Sequence, residues 1–357
     1  MVQGYLNSLD SLDTGCFYLN TSERLSPKRS GSIKEAKISD PFMFKEWSCM
    51  PITPTSKIWM DGQLVDWHNA TTHILTHSLH YGSGAFEGIR AYATSKGPAI
   101  FRLRDHIQRL AESCKVLEIP LPYTVEELVE ASREVVRSND AADGCYLRPL
   151  VYLGYGEMGV NPAPCPVNVA IAAWPWGSYL GESGLVDGIS AKISSWRRHD
   201  PNAVPTAAKS TGGYVNSGLA KLEASHGGYD EAIMLGSDGR VSEGTGENVF
   251  IVRNGVLITS APSASSALPG ITRSSVLTIA RDLGYEVRFE SLVRTDLYLS
   301  EEMFLTGTAA EVTPVRLLDD RVIGTGHRGP ITAALQSTYF HVVHGEVEKY
   351  FDWLDWP

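Results

Sequence analysis

The stretch TAAKSTGGY, residues 206–214, read together with RVSEGTGENVFIV, residues 240–252, decides what kind of molecule this chain builds. The first places Lys209 on a loop of small residues. The second places Glu243 at the mouth of a glycine-rich turn that runs into a strand. A loop lysine is ordinarily solvated, but Ala207, Ala208, Ser210, Gly212 and Gly213 leave room beside this one for something flat and bulky. An aldehyde cofactor such as pyridoxal phosphate needs that pair: an amine to condense with the aldehyde, and a carboxylate to keep a proton on the pyridine nitrogen. Such an amine must shed its proton before it attacks, which burial or a neighbouring positive charge assists. Tyr214 is within reach of the ring oxygen, and Gly244 and Gly246 permit close backbone approach beside Glu243.

The phosphate of such a cofactor needs its own holders. SALPGITRSSVL, residues 266–277, sets Gly270, Ile271 and Thr272 at the start of a predicted helix, where free amides and the helix dipole favour a dianion. FLTGTAAEVTPV, residues 304–315, supplies a second turn with Gly307, Thr308 and Ala309. Arg109, in FRLRDHIQRL, is the best basic partner, because a guanidinium grips phosphate through two parallel bonds. Taken alone it reads as an ordinary helix-surface arginine. Other patterns yield little. Gly82 to Gly88 does not fit a dinucleotide fingerprint, Lys209-Ser210 lacks the upstream glycines of a phosphate loop, and no nucleophile elbow is present. His341 and His344 lie one helical turn apart without a third ligand, so no metal is expected.

Composition frames these motifs. The chain has 357 residues, 43% of them hydrophobic, enough for about two domains. Its 41 acidic against 31 basic residues give a net charge of −10, which argues against nonspecific nucleic-acid binding and suits the handling of small solutes. No apolar run approaches the roughly 20 residues of a membrane span. Cys16, Cys49, Cys114, Cys145 and Cys165 are scattered without a redox or zinc spacing and read as reduced thiols of a cytoplasmic protein. The first residues, MVQGYLNSLDSLDTG, form neither a secretory signal nor a transit peptide.

Along the chain, residues 1–55 read as an extension that is at least partly disordered, with DPFMFKEWSCM as a patch able to dock elsewhere. Order begins with a hairpin at 57–67, turned by Asp61-Gly62. Leu103, Ile107, Leu110, Cys114 and Leu117 share one helical face, and Thr124 with Glu127 opens a second helix through a capping box. Strands are expected at 145–153, 167–174, 189–195, 230–235 and 247–252, and helices at 213–225, 272–283 and 330–345. The glycine-rich stretch 176–188 reads as a connection between domains. The expected architecture is mixed α/β: a small domain over 56–178, a linker at 179–188 and a larger domain over 189–357.

TAAKSTGGY, VSEGTGENVF, SALPGITR and TGTAAEVTPV, with HYGSGAFEGIRAY at 80–92, resemble the branched-chain amino acid aminotransferases, fold-type IV pyridoxal-phosphate enzymes with the D-amino acid aminotransferase-like fold. The likeness runs from about Lys57 to the C-terminus. It implies a transaminase that passes the amino group of L-leucine, L-isoleucine or L-valine to 2-oxoglutarate in two half-reactions. Lys209 would bind the cofactor and carry the proton, Glu243 would pair with the pyridine nitrogen and Tyr214 with the ring oxygen. Arg109, Ile271, Thr272 and Thr308 would hold phosphate. The amides of Thr308 and Ala309, with the Tyr146 hydroxyl, would receive the substrate α-carboxylate, and Arg148 the distal carboxylate of glutamate. Phe86, Tyr81, Tyr179, Trp176 and Tyr214 would form the apolar slot. GEMGVNP, residues 156–162, resembles a loop that the family inserts into a neighbouring subunit, so that Met158 and Val160 complete the pocket in trans within a homodimer or larger assembly. The extension before residue 56 departs from the family pattern: either the chain starts at Met50 or the extension has a role of its own. The redox cysteine pair of some relatives is absent. A specialised transaminase for an unusual amino acid, a D-amino acid or (R)-amine aminotransferase, and a cofactor binder without turnover are the competing readings.

Overall fold

Asp61 and Gly62 turn the chain with φ of 48° and 95° between the strands Lys57–Met60 and Gln63–Asp66, the left-handed conformations a tight hairpin requires. The Asp61 carboxylate then accepts bonds from Val169 N and Asn168 Nδ2, both at 2.7 Å, and fixes the turn to the strand Val167–Trp174. These residues open a computed structural model that describes residues 52–177 and 179–357. The expected extension falls almost wholly outside the described residues, as do Cys16, Cys49 and Met50.

Among the described residues the chain builds two sheets. The first is eight-stranded and antiparallel, in the order Leu354–Asp355, Gly97–Phe101, Ile89–Thr94, Gly144–Leu153, Val167–Trp174, Lys57–Met60, Gln63–Asp66, with Gly84–Phe86 also paired to Gly144–Leu153. In its long central pair Tyr146 stands opposite Trp174 and Arg148 opposite Ala172, so the tyrosine and arginine share one face. The helices Leu103–Val116 and Val125–Ser138 contribute to the core beneath this sheet. Leu103, Ile107, Leu110 and Cys114 are buried there as their spacing predicts, with Leu117 at the edge. Thr124 Oγ1 accepts from Glu127 N at 3.2 Å while Glu127 Oε2 accepts from Thr124 N at 2.7 Å, which is the predicted capping box.

The second sheet is nine-stranded and mixed, ordered Val241–Gly244, Glu231–Leu235, Ile189–Ile193, Glu311–Leu318, Glu302–Gly307, Asn248–Arg253, Val256–Thr259, Val287–Phe289, with Arg321–Val322 paired to Glu311–Leu318. Ile189–Ile193 runs parallel to both its neighbours. The helices Tyr214–His226, Ile271–Asp282 and Pro330–Val343 lie within a residue or two of their expected bounds. Phe250 and Phe304 stack at 4.9 Å in the core between the sheet and the last two of these helices. The stretch expected to be only a connection contains a short helix, Glu182–Asp187, bounded by Gly181 and Gly188 with φ of 79° and 84°. Of the glycines in this stretch, Gly181 and Gly188 bound the helix and Gly184 lies within it.

The last strand, Leu354–Asp355, returns to the first sheet beside Gly97–Phe101, and Asp355 accepts two bonds from Arg133 at 2.8 and 2.6 Å.

Candidate active site

The lysine loop is laid against the strand Gly84–Phe86 by backbone bonds: Phe86 N to Lys209 O, Thr211 N to Gly84 O and Gly212 N to Gly82 O, all near 3.0 Å. Gly82 has φ of 62°, and a Cβ there would fall 2.5 Å from Gly212 Cα, so the two glycines are what let loop and strand touch. Lys209 N donates to Ser113 Oγ at 3.0 Å, and Lys209 Nζ donates to the Tyr214 hydroxyl at 2.5 Å. The ammonium lies 5.0 and 4.9 Å from the ring centres of Phe86 and Tyr214, which meet edge to face.

Lys209 opens into a cavity of about 190 Å³. At one end stands Glu243, 4% exposed, on the short strand Val241–Gly244. Its Oε2 accepts from Leu268 N at 3.0 Å. Arg198 Nε approaches Oε1 to 2.7 Å, yet the two groups are misaligned and neither atom has a hydrogen-bond partner. Burial outweighs the Arg198 charge and raises the Glu243 pKa. Glu247 lines the same end, accepts from Gly246 N at 3.0 Å, and is pushed up to about 8 by burial and by the Glu231 carboxylate. Glu231 is held by Lys221 Nζ at 2.6 Å and by Thr245 Oγ1 at 2.7 Å.

Arg109 lines another part of the cavity from the helix Leu103–Val116. It is buried, with Nε 2.7 Å from Glu87 Oε1, Nη2 2.8 Å from Glu87 Oε2 and Nη1 2.9 Å from Pro269 O. His106 Nδ1 reaches Glu87 Oε2 at 2.7 Å. Burial alone would raise the Glu87 pKa, but Arg109 and His106 outweigh it and hold the carboxyl far below its ordinary range. His106 is itself lowered by its burial despite the Glu87 carboxylate beside it. Ile271 and Thr272 line the wall at the start of the helix Ile271–Asp282, whose N-terminus has no side-chain cap. Gly270 precedes them; a Cβ on it would lie 2.0 Å from Asn248 Oδ1. Thr308 and Ala309 line the wall from the turn between Glu302–Gly307 and Glu311–Leu318.

The remaining wall is aromatic. Phe86, Tyr146, Trp176 and Tyr179 face it, with Tyr146 and Trp176 edge to face at 4.4 Å. Gly88 stands against the Tyr146 hydroxyl, only 1.9 Å from where a Cβ would lie. The Arg148 guanidinium sits 4.8 Å above Phe86 and 5.4 Å from the Tyr146 ring; its Nε is buried without a partner, and it makes no ion pair among the described residues.

Tyr81, expected in the apolar slot, does not line this cavity, and neither do Met158 and Val160, which were expected to act across a subunit boundary. Tyr81 is half exposed, because its helix ends at Gly82 and its hydroxyl donates instead to Met158 O at 2.9 Å. Met158 lies beside it, and Val160 is 84% exposed. His77 Nε2 meets Gly159 O at 3.0 Å, so the loop and the short helix form one surface. In the reverse direction, the motifs did not point to Arg198, Glu87, His106 or Glu247 as part of the site. Glu247 stands within a quoted motif, and Glu87 between Phe86 and Gly88 in another; their burial was the signal, and it belongs to the fold. His341 contacts Glu346, His344 bonds to Ala93 O, and the described residues hold no group of three or more potential ligands placed for a metal.

These features fit pyridoxal phosphate. A buried acceptor, Glu243 Oε1, stands without a donor where a ring nitrogen would need one, and an uncapped helix start and an arginine lie where a phosphate would. Comparison with known proteins agrees. Residues 84–318 match the family model for amino-transferase class IV. The branched-chain-amino-acid aminotransferase of Salmonella typhimurium is 49% identical over 299 residues, covering 84% of this chain and 96% of that protein. The crystal structure of the Escherichia coli branched-chain amino acid aminotransferase superposes with a TM-score of 0.82 at 48% identity, covering 84% of this chain and 99% of that one. The holo-form of the Thermobaculum terrenum enzyme, solved with pyridoxal phosphate, gives 0.79 at 37% identity, covering 84% and 98%.

Proposed function

The chain belongs to the class IV aminotransferases, and among them to the branched-chain-amino-acid aminotransferases, and from that premise we propose how its own residues carry the reaction. The enzyme moves an amino group reversibly between branched-chain amino acids and 2-oxoglutarate, forming 2-oxo acids and L-glutamate with pyridoxal phosphate as cofactor. When bound, the cofactor supplies an electron sink for the charge left at the substrate Cα.

Lys209 binds the cofactor at rest. Freed by the incoming amino group, its Nζ would serve as the base that takes the Cα proton and as the acid that returns it at C4′. The Tyr214 hydroxyl, already bonded to Nζ, steadies the ring oxygen. Glu243 holds the proton on the ring nitrogen, and the observation that carries this reading is its buried carboxyl at the cavity wall, whose Oε1 has the Arg198 charge beside it but no aligned hydrogen bond. Arg109, Ile271, Thr272 and Thr308 take the phosphate. The Tyr146 hydroxyl and the amides of Thr308 and Ala309 orient the α-carboxylate.

Two unlike side chains must use one slot. Leucine, isoleucine and valine pack on Phe86, Trp176 and Tyr179, while the distal carboxylate of glutamate meets Arg148, which lies on Phe86, reaches the Tyr146 hydroxyl and keeps a buried Nε without a hydrogen bond. We assign Tyr81, Met158 and Val160 to a homodimer in which the partner subunit's Met158 and Val160 close the pocket; the exposure of Tyr81 and Val160 on either side of Met158 supports this. The two sheets correspond to a small domain over 56–178 and a large one over 189–357, joined at 179–188, with the final strand reaching back. A cytoplasmic setting accords with the free cysteines Cys114, Cys145 and Cys165, and no helix among the described residues is long and apolar enough to cross a membrane.

The test is optical. Adding L-leucine to the purified holoenzyme should abolish the cofactor's visible band, and 2-oxoglutarate should restore it. A band that ignores L-leucine but responds to a D-amino acid or an (R)-amine would overturn the substrate assignment.

A further inference from the structure

We propose that Glu87 is a positioning residue of the phosphate site: it turns the Arg109 guanidinium so that one N–H of each terminal nitrogen is left free to grip the cofactor's phosphate. The inference rests on the pyridoxal-phosphate reading above. A guanidinium has five N–H donors. Here Nε–H goes to Glu87 Oε1, one Nη2–H to Glu87 Oε2, and one Nη1–H to Pro269 O. The two N–H groups left over, one on each terminal nitrogen, are the donors that a phosphate can accept from.

Glu87 is itself over-determined. It is wholly buried, with its own N–H donating to Pro149 O at 2.8 Å. Its Oε2 also meets His106 Nδ1 at 2.7 Å and Gly88 N at 3.3 Å. An ionised carboxylate only accepts, so His106 carries its proton on Nδ1. His106, Arg109 and Ser113 follow one another along one side of a single helix, and Ser113 holds the backbone of Lys209. Phe86, the residue before Glu87, receives the Lys209 carbonyl through its N–H. The carboxylate thus fixes Arg109 within the same bonded frame that carries the lysine.

The alternative role for Glu87 is neutralisation of a buried arginine, and the two roles predict opposite signs. Glu87 cancels the Arg109 charge. If charge alone mattered, removing it would strengthen the hold on a dianion. If direction matters, removing it loosens those two donors and weakens that hold.

The experiment measures the affinity of the apoenzyme for pyridoxal phosphate and for pyridoxal, which lacks the phosphate. Both condense with Lys209, so the ratio of the two affinities isolates the phosphate site. Wild type should favour the phosphorylated form strongly; equal affinities in wild type would defeat the phosphate assignment itself rather than this inference. In Glu87→Gln the preference should fall by about tenfold, the scale of one charged hydrogen bond lost, while pyridoxal binding stays nearly constant. Glu87→Asp should fall between the two, and His106→Gln should give a smaller loss. A preference that is unchanged or larger in Glu87→Gln overturns the proposal, as does an equal fall in both affinities, which a purely structural role would give. Where circular dichroism shows the Gln variant unfolded, the Asp and His106 variants carry the same ratio test.

Discussion

Glu87 and Glu243 are both fully buried beside an arginine at the edge of one cavity, yet they are driven in opposite directions. Glu87 is held well below the ordinary carboxylate range, while Glu243 is raised above it. The number and alignment of partners explain the difference. Arg109 meets Glu87 through two well-directed bonds, and His106 adds a third. Arg198 lies equally near Glu243 but side-on, leaving one backbone N–H as the carboxyl's only hydrogen bond. A buried ion pair is fixed by geometry and not by proximity. One end of the cavity is a finished piece of structure. The other holds an unmet demand that a bound ring can satisfy.

The sharpest way to break this comparison is to remove what stands between the two ends. Lys209→Ala should lower the single-turnover rate with L-leucine by about 10⁴-fold or more, without altering grip on the phosphate. Glu243→Gln should lower turnover by about 10²-fold, since an amide cannot keep the ring nitrogen charged. Its affinities for pyridoxal and pyridoxal phosphate should move together, unlike those of the Glu87 variants; a change confined to the phosphorylated form would erase the distinction between the ends.

Gly88→Ala sharpens the assignment of the aromatic wall. The added methyl collides with the Tyr146 hydroxyl, so KM should rise by about tenfold for L-leucine and L-glutamate alike, because both present the same α-carboxylate. A rise for one substrate only would move Tyr146 to side-chain recognition. The smallest effect concerns Glu247. Its pKa rises from 4.5 to about 8 on folding, so its stabilising contribution is complete below pH 4.5 and is lost as pH climbs through 8. Glu247→Gln should therefore flatten the decline in thermal midpoint across that interval, ending about 2 °C above wild type at pH 8. A parallel decline in the two proteins would place the pH dependence on another group.

Much of this was legible in residue order, and the limits are physical. The hairpin at Asp61-Gly62, the face Leu103–Ile107–Leu110–Cys114 and the Thr124–Glu127 capping box are local, so spacing reveals them. Lys209 and Glu243 were legible because small residues around a charged one signal close approach. Glu87, His106 and Arg198 act through contacts that only the folded chain creates: Glu87 and Arg109 are separated by two strands and a helix start, and Arg198 reaches Glu243 from another loop. The strands Glu302–Gly307 and Glu311–Leu318 were visible only through the turn that joins them, because both are buried and do not alternate. Tyr81 lies away from the cavity of its own chain, and aromatic character carries no information about which surface a helix end will face.

The strand Leu354–Asp355 sets a schedule for biosynthesis. Residues 57–174 emerge from the ribosome long before Leu354–Asp355, and until that strand is made the sheet they form lacks its edge beside Gly97–Phe101. Arg133 must wait equally long for Asp355. A nascent chain therefore displays an unpaired edge throughout the synthesis of everything that follows, which is the kind of surface a chaperone holds. A chain interrupted before Leu354 would damage a sheet whose other strands were made long before.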